Sequence, residues 1–599
     1  MQFLLALGMA AVAVAWHRAS VLALPYLPAS KTTITLIPGH TFVAFHSWLW
    51  TLPQLGDPEL ALCHLWGISP VIALPIAVVL MRRGLPRRTK KPTEQRGSAR
   101  WAEDSELFSW LHGKLTSEDR GVVLGQCSSA ELDQEPGSDP PRLGILRAAR
   151  WVRSCERHFA IFGTNGEGKD ACVVNPTLLS ECSGDSVFVN DPSGETHEAT
   201  AGWLELGRRV INMTPTVLGG PGCNVLMTVP RNAHAIGEAQ RIAAALVGSV
   251  EKARSEGLVY AQAAESLITA AILDALYYLD RKSLPGVWES IRGVEASGEK
   301  KTDPSPQREW VRDRMDRAPN KHVRAVFEQL LSYDRQVLSG AFSNATLVLG
   351  FCGDPIVADF LDRCDFLPDD LRQYHEPLAV FLSIPERDAK RLAGLQRVVI
   401  DTLLSGMLVT RKRKRGCLML LNEFSQMGAL PSAVEAFRVI RKYGVTLGIL
   451  DQSIEQVRAT YEGAAKSILG NCHVTLTLGA VDAQVLRELS LVMGTQTLLE
   501  ERSTEGTSSR PGDLGASRNA STSAGEVARA LMTEAEIREL DPREALLVMR
   551  SCKPALLKRV PYYADAELNK RSQLRPPTTS FHIEHELPWA LQAEEATAE

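Results

Sequence analysis

No CxxC pair occurs among the eleven cysteines of this 599-residue chain, which stand singly from Cys63 to Cys552. That spacing excludes a disulfide framework and a zinc ribbon, and it fits a reduced compartment for most of the chain. Neither sign of charge is in excess: 66 Lys and Arg stand against 70 Asp and Glu, a net charge of −4. A uniformly basic nucleic-acid coat is thereby excluded, though not a local basic patch. With 45% hydrophobic and 23% charged residues, a disordered chain is excluded as well. No repeat of fixed period runs through the sequence. The length instead predicts several domains and a large buried core.

Charge is also missing locally. Phe3–Trp16 carries none, and the apolar run resumes at Val21–Leu27, yet Met1–Phe3 lacks the cationic start of a cleaved signal peptide. Leu60–Met81 has no Lys, Arg, Asp or Glu and is long enough to cross a hydrocarbon core; a buried core helix is the alternative. It ends at Arg82, Arg83, Arg87, Arg88, Lys90 and Lys91. By the positive-inside rule these six cations put everything after them in the cytoplasm. The uncharged stretch between, Thr32–Gly56, holds Phe42, Trp48 and Trp50 and reads as a short extracytoplasmic loop or a third crossing. Residues 1–91 are thus expected to be a membrane anchor, a transmembrane helical hairpin.

Beyond the anchor, Ser128–Arg142 is rich in Pro, Ser and acid and reads as a loop, and Ser503–Gly525 as a mobile Ser/Thr/Gly stretch. From Phe581 on there are five Glu and no Lys or Arg, so residues 566–599 read as an acidic, disordered tail. Strand-length apolar runs lie at Phe159–Phe162, Ser186–Val189, Ala379–Ser383, Cys417–Leu421, Val445–Leu450, Val474–Leu478 and Ala545–Met549. Helical patterns separate them, which predicts an α/β fold with a mainly parallel sheet over residues 92–232 and 343–565. Residues 233–342, Ala- and Leu-rich at helical spacing, predict an inserted all-α domain.

The chemistry is concentrated after the first of these strands. HFAIF runs into Gly163, Thr164, Asn165, Gly166, Glu167, Gly168, Lys169 and Asp170, and then into the helical run Ala171–Leu179. Strand, glycine loop and helix in that order are what a P-loop needs. The glycines let backbone N–H groups curl around phosphate oxygens, the helix start adds positive potential, and Lys169 would reach the β/γ-phosphates. The alternative is a glycine-rich turn with a solvated lysine. Asp170 stands where a P-loop usually has the Mg²⁺-binding Ser or Thr. The strand Cys417–Leu421 ends in Asn422-Glu423, where Asp-Glu would be usual. A carboxylate is therefore gained on one side of the metal position and lost on the other. Two outcomes stay open. The Mg²⁺ shell of Asp170 and Asn422 is swapped with hydrolysis kept through Glu423, or a nucleotide site has lost catalysis because Asp170 repels the phosphates.

These residues, with GSARWA at 97–102, VFVNDPSGETHEATAG at 187–202, LLNEFSQMGALP at 420–431, RKYGVTLGILDQS at 441–453 and LMTEAEIREL at 531–540, run in an order that resembles the type IV coupling proteins, the TraG/TraD-like ATPases of conjugation and type IV secretion. The resemblance spans about residues 1–565. It implies a RecA-like P-loop NTPase binding ATP and Mg²⁺, with the loop 163–170 as the nucleotide cradle and Glu423 as the catalytic carboxylate beside Lys169. Gln452 falls where the family has a γ-phosphate-sensing glutamine, or else is an exposed strand end. Arg441 falls where related proteins supply an arginine finger to the neighbouring subunit, or else is a solvated helix-end cation. Ser193 departs from the family's usual Lys. The resemblance further implies a multi-pass bacterial inner-membrane protein with a large cytoplasmic domain, a homo-hexamer working with type IV secretion channel subunits and partner ATPases. The cargo would be a relaxase with single-stranded DNA, a secreted effector protein, or both. A receptor that recruits cargo without hydrolysis is the competing reading, and an FtsK-like DNA pump a third. The basic run Arg411–Arg415 is a candidate DNA contact or a solvated turn, and Arg308–Arg324 is a second cation-rich segment.

Overall fold

Long apolar runs that carry no alternation must be covered on both faces, and the sheet shows how. The computed structural model describes most of residues 96–585, leaving out chiefly 113–120, 128–149, 249–254, 297–304 and 509–516. The described residues fall in the unit Thr93–Glu599. The anchor readings and the loop Ser128–Arg142 lie outside the described residues.

Among the described residues fourteen strands occur in chain order. They are β1 (Leu111–His112), β2 (Val122–Cys127), β3 (Arg150–Ser154), β4 (Phe159–Phe162), β5 (Ser186–Asn190), β6 (Arg209–Met213) and β7 (Leu378–Leu382). Then follow β8 (Cys417–Asn422), β9 (Val445–Asp451), β10 (Val474–Thr477), β11 (Thr495–Ser508), β12 (Ser517–Ala530), β13 (Glu544–Met549) and β14 (Ala555–Lys558). Twelve form one sheet in the order β1-β3-β2-β14-β13-β10-β4-β9-β8-β5-β7-β6. From β10 to β6 every neighbouring pair is parallel. From β1 to β13, and on to β10, the pairs are antiparallel. The sheet is therefore mixed, with an antiparallel wing that the apolar runs do not announce.

Residues alternate between two cores along each central strand. Ala160, Phe162, Phe188, Met419, Leu421, Leu447 and Ile449 face a core shared with the helical region. Phe159, Ile161, Val187, Val189, Leu418, Leu420 and Leu450 face the other. At the crossing of β4 and β9, Phe159 pairs with Gly448, and a Cβ there would collide with the Phe159 ring.

Between β6 and β7, which are sheet neighbours, the described chain is helical: Ala235–Val247, Ser255–Tyr278, Leu284–Ala296, Pro306–Asp316, Lys321–Ser332, Arg335–Val348 and Pro355–Asp362. Ser305, Asn320, Asp334 and Asp354 accept bonds from the first-turn amides of their helices, which fixes four of the starts. Leu258–Tyr278 is, among the described residues, the one helix long and apolar enough to cross a membrane. Its Leu267, Ile268, Ala271, Ile272 and Leu276 are buried in the shared core, so here it is a core helix. The cation-rich stretch Arg308–Arg324 is partly internal: Arg314 and Arg317 pair with Asp274, which is 1% exposed, at 3.0 and 2.8 Å.

Two low-complexity readings are corrected. Ser503–Gly525 does not run as an irregular segment in its described part. It belongs to a long antiparallel ribbon in which Thr495–Ser508 pairs with Ser517–Ala530, so its backbone groups bond to each other. The acidic segment is also placed as far as residue 585. Ala566–Ser572 is a helix, and Phe581 N–H donates to Val210 O. Ile583 is buried, and His585 lies 2.8 Å from Asp370. Ile583 is buried in the shared core and Phe581 packs against it.

Candidate functional site

The carboxyl ends of parallel strands gather one end of an α/β sheet, and the residues after β4, β8 and β9 meet there. After β4 the loop turns on Gly166 and Gly168, with φ of +84° and +77°, a region that favours glycine. A Cβ on Gly166 would meet nothing within 4 Å, so the loop's outer side is open. Thr164, Asn165 and Gly166 are exposed at its tip, and Gly163 N–H donates to Asp451 O at its root. The following helix opens with a π-turn, Asp170–Val174, before Asn175–Ser180.

Lys169 is buried, at 6% exposed. Its Nζ donates to Gly163 O at 2.8 Å and lies 3.5 Å from Glu423 Oε1. Glu423 holds a left-handed backbone, φ +51°, which costs on the order of 1 kcal/mol or more for a residue with a side chain. Its own N–H donates to Asn422 Oδ1 at 3.1 Å, a local bond that supports that turn. Glu423 Oε2 accepts from Gln426 Nε2 at 2.6 Å and Gln452 Nε2 at 3.1 Å. Lys169, Glu423 and Gln452 are thus one connected cluster.

Across from it, Asn422 Nδ2 donates to Asp170 Oδ1 at 2.9 Å. The two departures from the usual motif are therefore partners. An amide can accept from Glu423 N–H and donate to Asp170 at once; a second carboxylate could do only the first. Burial pushes the Asp170 carboxyl up to about 6, and Asp191 and Glu423 push the same way while Lys169 pulls it down.

A phosphate-bearing nucleotide fits this cluster: a buried ammonium and an open glycine loop at a helix start suit its phosphates. Mg²⁺ fits too, although among the described residues no group of three or more His, Cys, Asp or Glu is arranged to hold a metal. Mg²⁺ ordinarily takes one or two protein oxygens and draws the rest from phosphates and water, which Asp170 and Asn422 Oδ1 could satisfy.

Arg441 is not in this cluster. It precedes β9, whereas Gln452 follows it, so the strand's length of about 20 Å separates the two ends. Arg441 lines a separate cavity with Arg413 and Lys414.

Three supporting residues escape motif reading. Asp451 is fully buried, and its carboxylate accepts from Ser425 N–H at 2.7 Å, Ser425 Oγ at 2.9 Å and Gln452 N–H at 2.8 Å. Burial pushes this carboxyl up, and the bonds from Ser425 and Gln452 oppose it. Asp451 therefore ties the Glu423 turn to the Gln452 strand end, while its carbonyl holds the root of the glycine loop. Arg559, 5% exposed, donates to Glu167 O and Glu167 Oε2, both at 2.8 Å, and braces the loop from the far side of the sequence. Asn190 fixes the Asn422 carbonyl through Nδ2 at 2.6 Å. Asp451 directly before Gln452 was the one legible hint, since an acid at a buried strand end needs donors.

Comparisons with known proteins bear on the family and the fold. A family model described as Type IV secretory system Conjugative DNA transfer matches residues 125–585. Conjugal transfer protein TraG of Escherichia coli is 24% identical over 522 residues, covering 81% of this chain and 79% of that protein. Protein VirD4 of Rhizobium radiobacter is 25% identical over 547 residues, covering 88% and 72%. Among solved structures, the unbound bacterial conjugative coupling protein TrwBdeltaN70 has a TM-score of 0.52 at 17% identity, covering 72% of this chain and 88% of that one. TrwB in complex with the non-hydrolysable ATP analogue ADPNP also has a TM-score of 0.52, at 18% identity, covering 72% and 89%. TrwB is also known in complex with ADP and Mg²⁺. At these identities the structures speak for the fold, a RecA-like α/β NTPase architecture. With most of its length matched by the family model, the chain belongs to the type IV secretory system conjugative DNA transfer family.

Proposed function

We propose that this chain is a type IV coupling ATPase of the bacterial inner membrane, which recruits a relaxase–DNA complex, an effector protein or both to the secretion channel and drives transfer with ATP. The observation that carries this is the Lys169–Glu423–Gln452 cluster at the end of β4, β8 and β9. A cytoplasmic ATPase part, a multi-pass anchor within residues 1–91, a homo-hexameric ring and contact with channel subunits and partner ATPases complete the reading, supported by membership of the family. Residues 233–342 would be the all-α domain facing the cargo.

Bound Mg-ATP would supply the phosphoryl group to be transferred and the ion that neutralises its charge. In this reading the loop 163–168 offers backbone N–H groups to phosphate oxygens, and Lys169 leaves Gly163 O and Glu423 to bind them. Glu423, then free of Lys169, takes a proton from the water that attacks the phosphoryl group, and Gln452, whose Nε2 lies 3.1 Å from Glu423 Oε2, orients that water. Asp170 and Asn422 hold the metal side. Arg441 would act on a neighbouring subunit's nucleotide, since within its own chain it lies at the other end of the strands.

The receptor reading draws on Asp170, whose negative charge opposes phosphates. Complementation separates the two. In cells lacking the chain, Glu423→Gln is expected to fail to restore transfer, with a drop of about 1,000-fold or more from the loss of the proton acceptor. Full restoration by Glu423→Gln would leave only recruitment.

Asp451 gives a second expectation. Asp451→Asn cannot accept the Ser425 bonds as the carboxylate does, so the Glu423 turn loosens. Turnover is expected to fall about 10- to 100-fold, with nucleotide affinity within about threefold of wild type. A parallel loss of affinity in a titration would mean that Asp451 only maintains the fold.

A further inference from the structure

The backbone of the basic run Arg411–Arg415 is held in place, while the side chains of Arg411–Lys414 are exposed. Arg372 is fully buried, and its Nη1 donates to Thr410 O at 2.9 Å and Tyr443 O at 3.1 Å. Its carbonyl accepts from Lys414 N–H at 2.9 Å. Gln373 Nε2 donates to Lys412 O, and Arg415 Nη2 donates to Tyr374 O at 3.0 Å and His375 O at 2.9 Å. These bonds fix the backbone before β8 against the turn before β9. Such fixing sets where the exposed cationic side chains leave the backbone.

The fixed cations surround a space. A cavity of about 490 Å³ lies at the amino end of β8 and β9, walled by Arg413, Lys414, Arg415 and Arg441 among others. Among the described lining residues Asp185 is the one acid, and its Oδ1 already accepts from Gly416 N–H at 2.9 Å. Arg413 lies against Gly444, where φ is +78° and a Cβ would collide with the guanidinium. The cavity is of ligand size, and its described lining carries four cations against one acid. Arg411 lies 5.5 Å from the Tyr443 ring centroid, so that ring is engaged by a cation. The chemistry favours anions recognised by charge over bases recognised by stacking.

We infer that this cavity is a second phosphate-binding site, distinct from the glycine loop, that takes a ligand bearing successive phosphate groups. Two sources share that chemistry: the backbone of a single nucleic-acid strand and the phosphate tail of a free nucleotide. The guanidinium fork of Arg413 suits phosphate oxygens, and Lys414 adds a point charge. The inference rests on the cavity alone and holds whether or not ATP is hydrolysed.

The test uses the full-length chain in detergent and the variant Arg413→Glu/Lys414→Glu, neither residue belonging to the glycine-loop cluster. A fluorescent single-stranded oligonucleotide is titrated at several salt concentrations, and ATP stoichiometry is measured in parallel. For a nucleic-acid strand, affinity is expected to fall about tenfold or more, and the slope of log affinity against log salt to drop by about two. For a free nucleotide, the oligonucleotide curve stays unchanged and one of two ATP equivalents is lost. The conservative swap Arg413→Lys/Lys414→Arg is expected to keep most of the binding. ATP binding at the glycine loop, which Lys169→Ala weakens, reports that the variant is folded. Unchanged oligonucleotide affinity, salt slope and ATP stoichiometry in a folded variant would overturn the inference, independently of any result on turnover.

Discussion

Replacing Lys169 by Ala is expected to weaken nucleotide binding by about 100-fold, close to 3 kcal/mol. The lysine is buried at the end of a loop that is otherwise open, so its charge acts from a shielded position. It is also the cation that balances Glu423 at 3.5 Å and lowers the Asp170 carboxyl. Truncation therefore does two things. It removes a charge-assisted bond to phosphate, and it leaves Asp170 and Glu423 without the ammonium that offsets them. Lys169→Arg should recover little, because the guanidinium must be accommodated where one ammonium now bonds the Gly163 carbonyl. Equilibrium dialysis or titration calorimetry with ATP measures the change. Affinity within about threefold of wild type would remove Lys169 from the nucleotide site.

Asp170 and Asn422 are expected to be coupled by about 1–3 kcal/mol in a double-mutant cycle read on Mg-nucleotide affinity. Asp170→Ser alone removes the acceptor of the Asn422 amide, and Asn422→Asp alone places two carboxylates at 2.9 Å where an amide now donates. Each single change should weaken Mg-nucleotide binding about tenfold or more, the second mainly through repulsion. The double change restores the usual arrangement of hydroxyl and carboxylate and is expected to recover most of the loss. Additive losses would mean the two positions act independently.

The same carboxyl carries a pH dependence. Its folded value of about 6 lies above the ordinary 3.8, so its favourable, protonated contribution is complete below pH 3.8 and is lost as pH rises through 6. The size is on the order of 3 kcal/mol. Without Mg²⁺, nucleotide affinity of the wild type is accordingly expected to strengthen as pH falls from 7.5 to 5.5, and Asp170→Asn should flatten that rise.

Much of this was legible in the chain. The seven apolar runs fall on β4, β5, β7, β8, β9, β10 and β13 because strands buried on both faces need apolar side chains at nearly every position. The glycine loop was legible for a local reason: its backbone requires glycine at fixed places. The antiparallel wing was not. β14 is the short run ALLK, burying Ala555 and Leu557 and leaving Leu556 and Lys558 half-buried, too brief to stand out. The ribbon Thr495–Ala530 is Ser- and Thr-rich, which reads as loop when its partner strand cannot be seen. Supporting residues were hidden by distance, since Arg559 reaches Glu167 across 392 positions. Arg441 carries a different lesson. In a parallel sheet a residue just before a strand lies at the opposite end from one just after it, so Arg441 and Gln452 could not share a site within one chain.

Steady-state phosphate release from Mg-ATP by the full-length chain, beside Glu423→Gln, tests the ATPase reading most directly. Wild type is expected to turn over at about 1 per second or faster once assembled, with Glu423→Gln about 1,000-fold slower and still binding ATP. Equal background rates in both, with ATP bound by both, would contradict it.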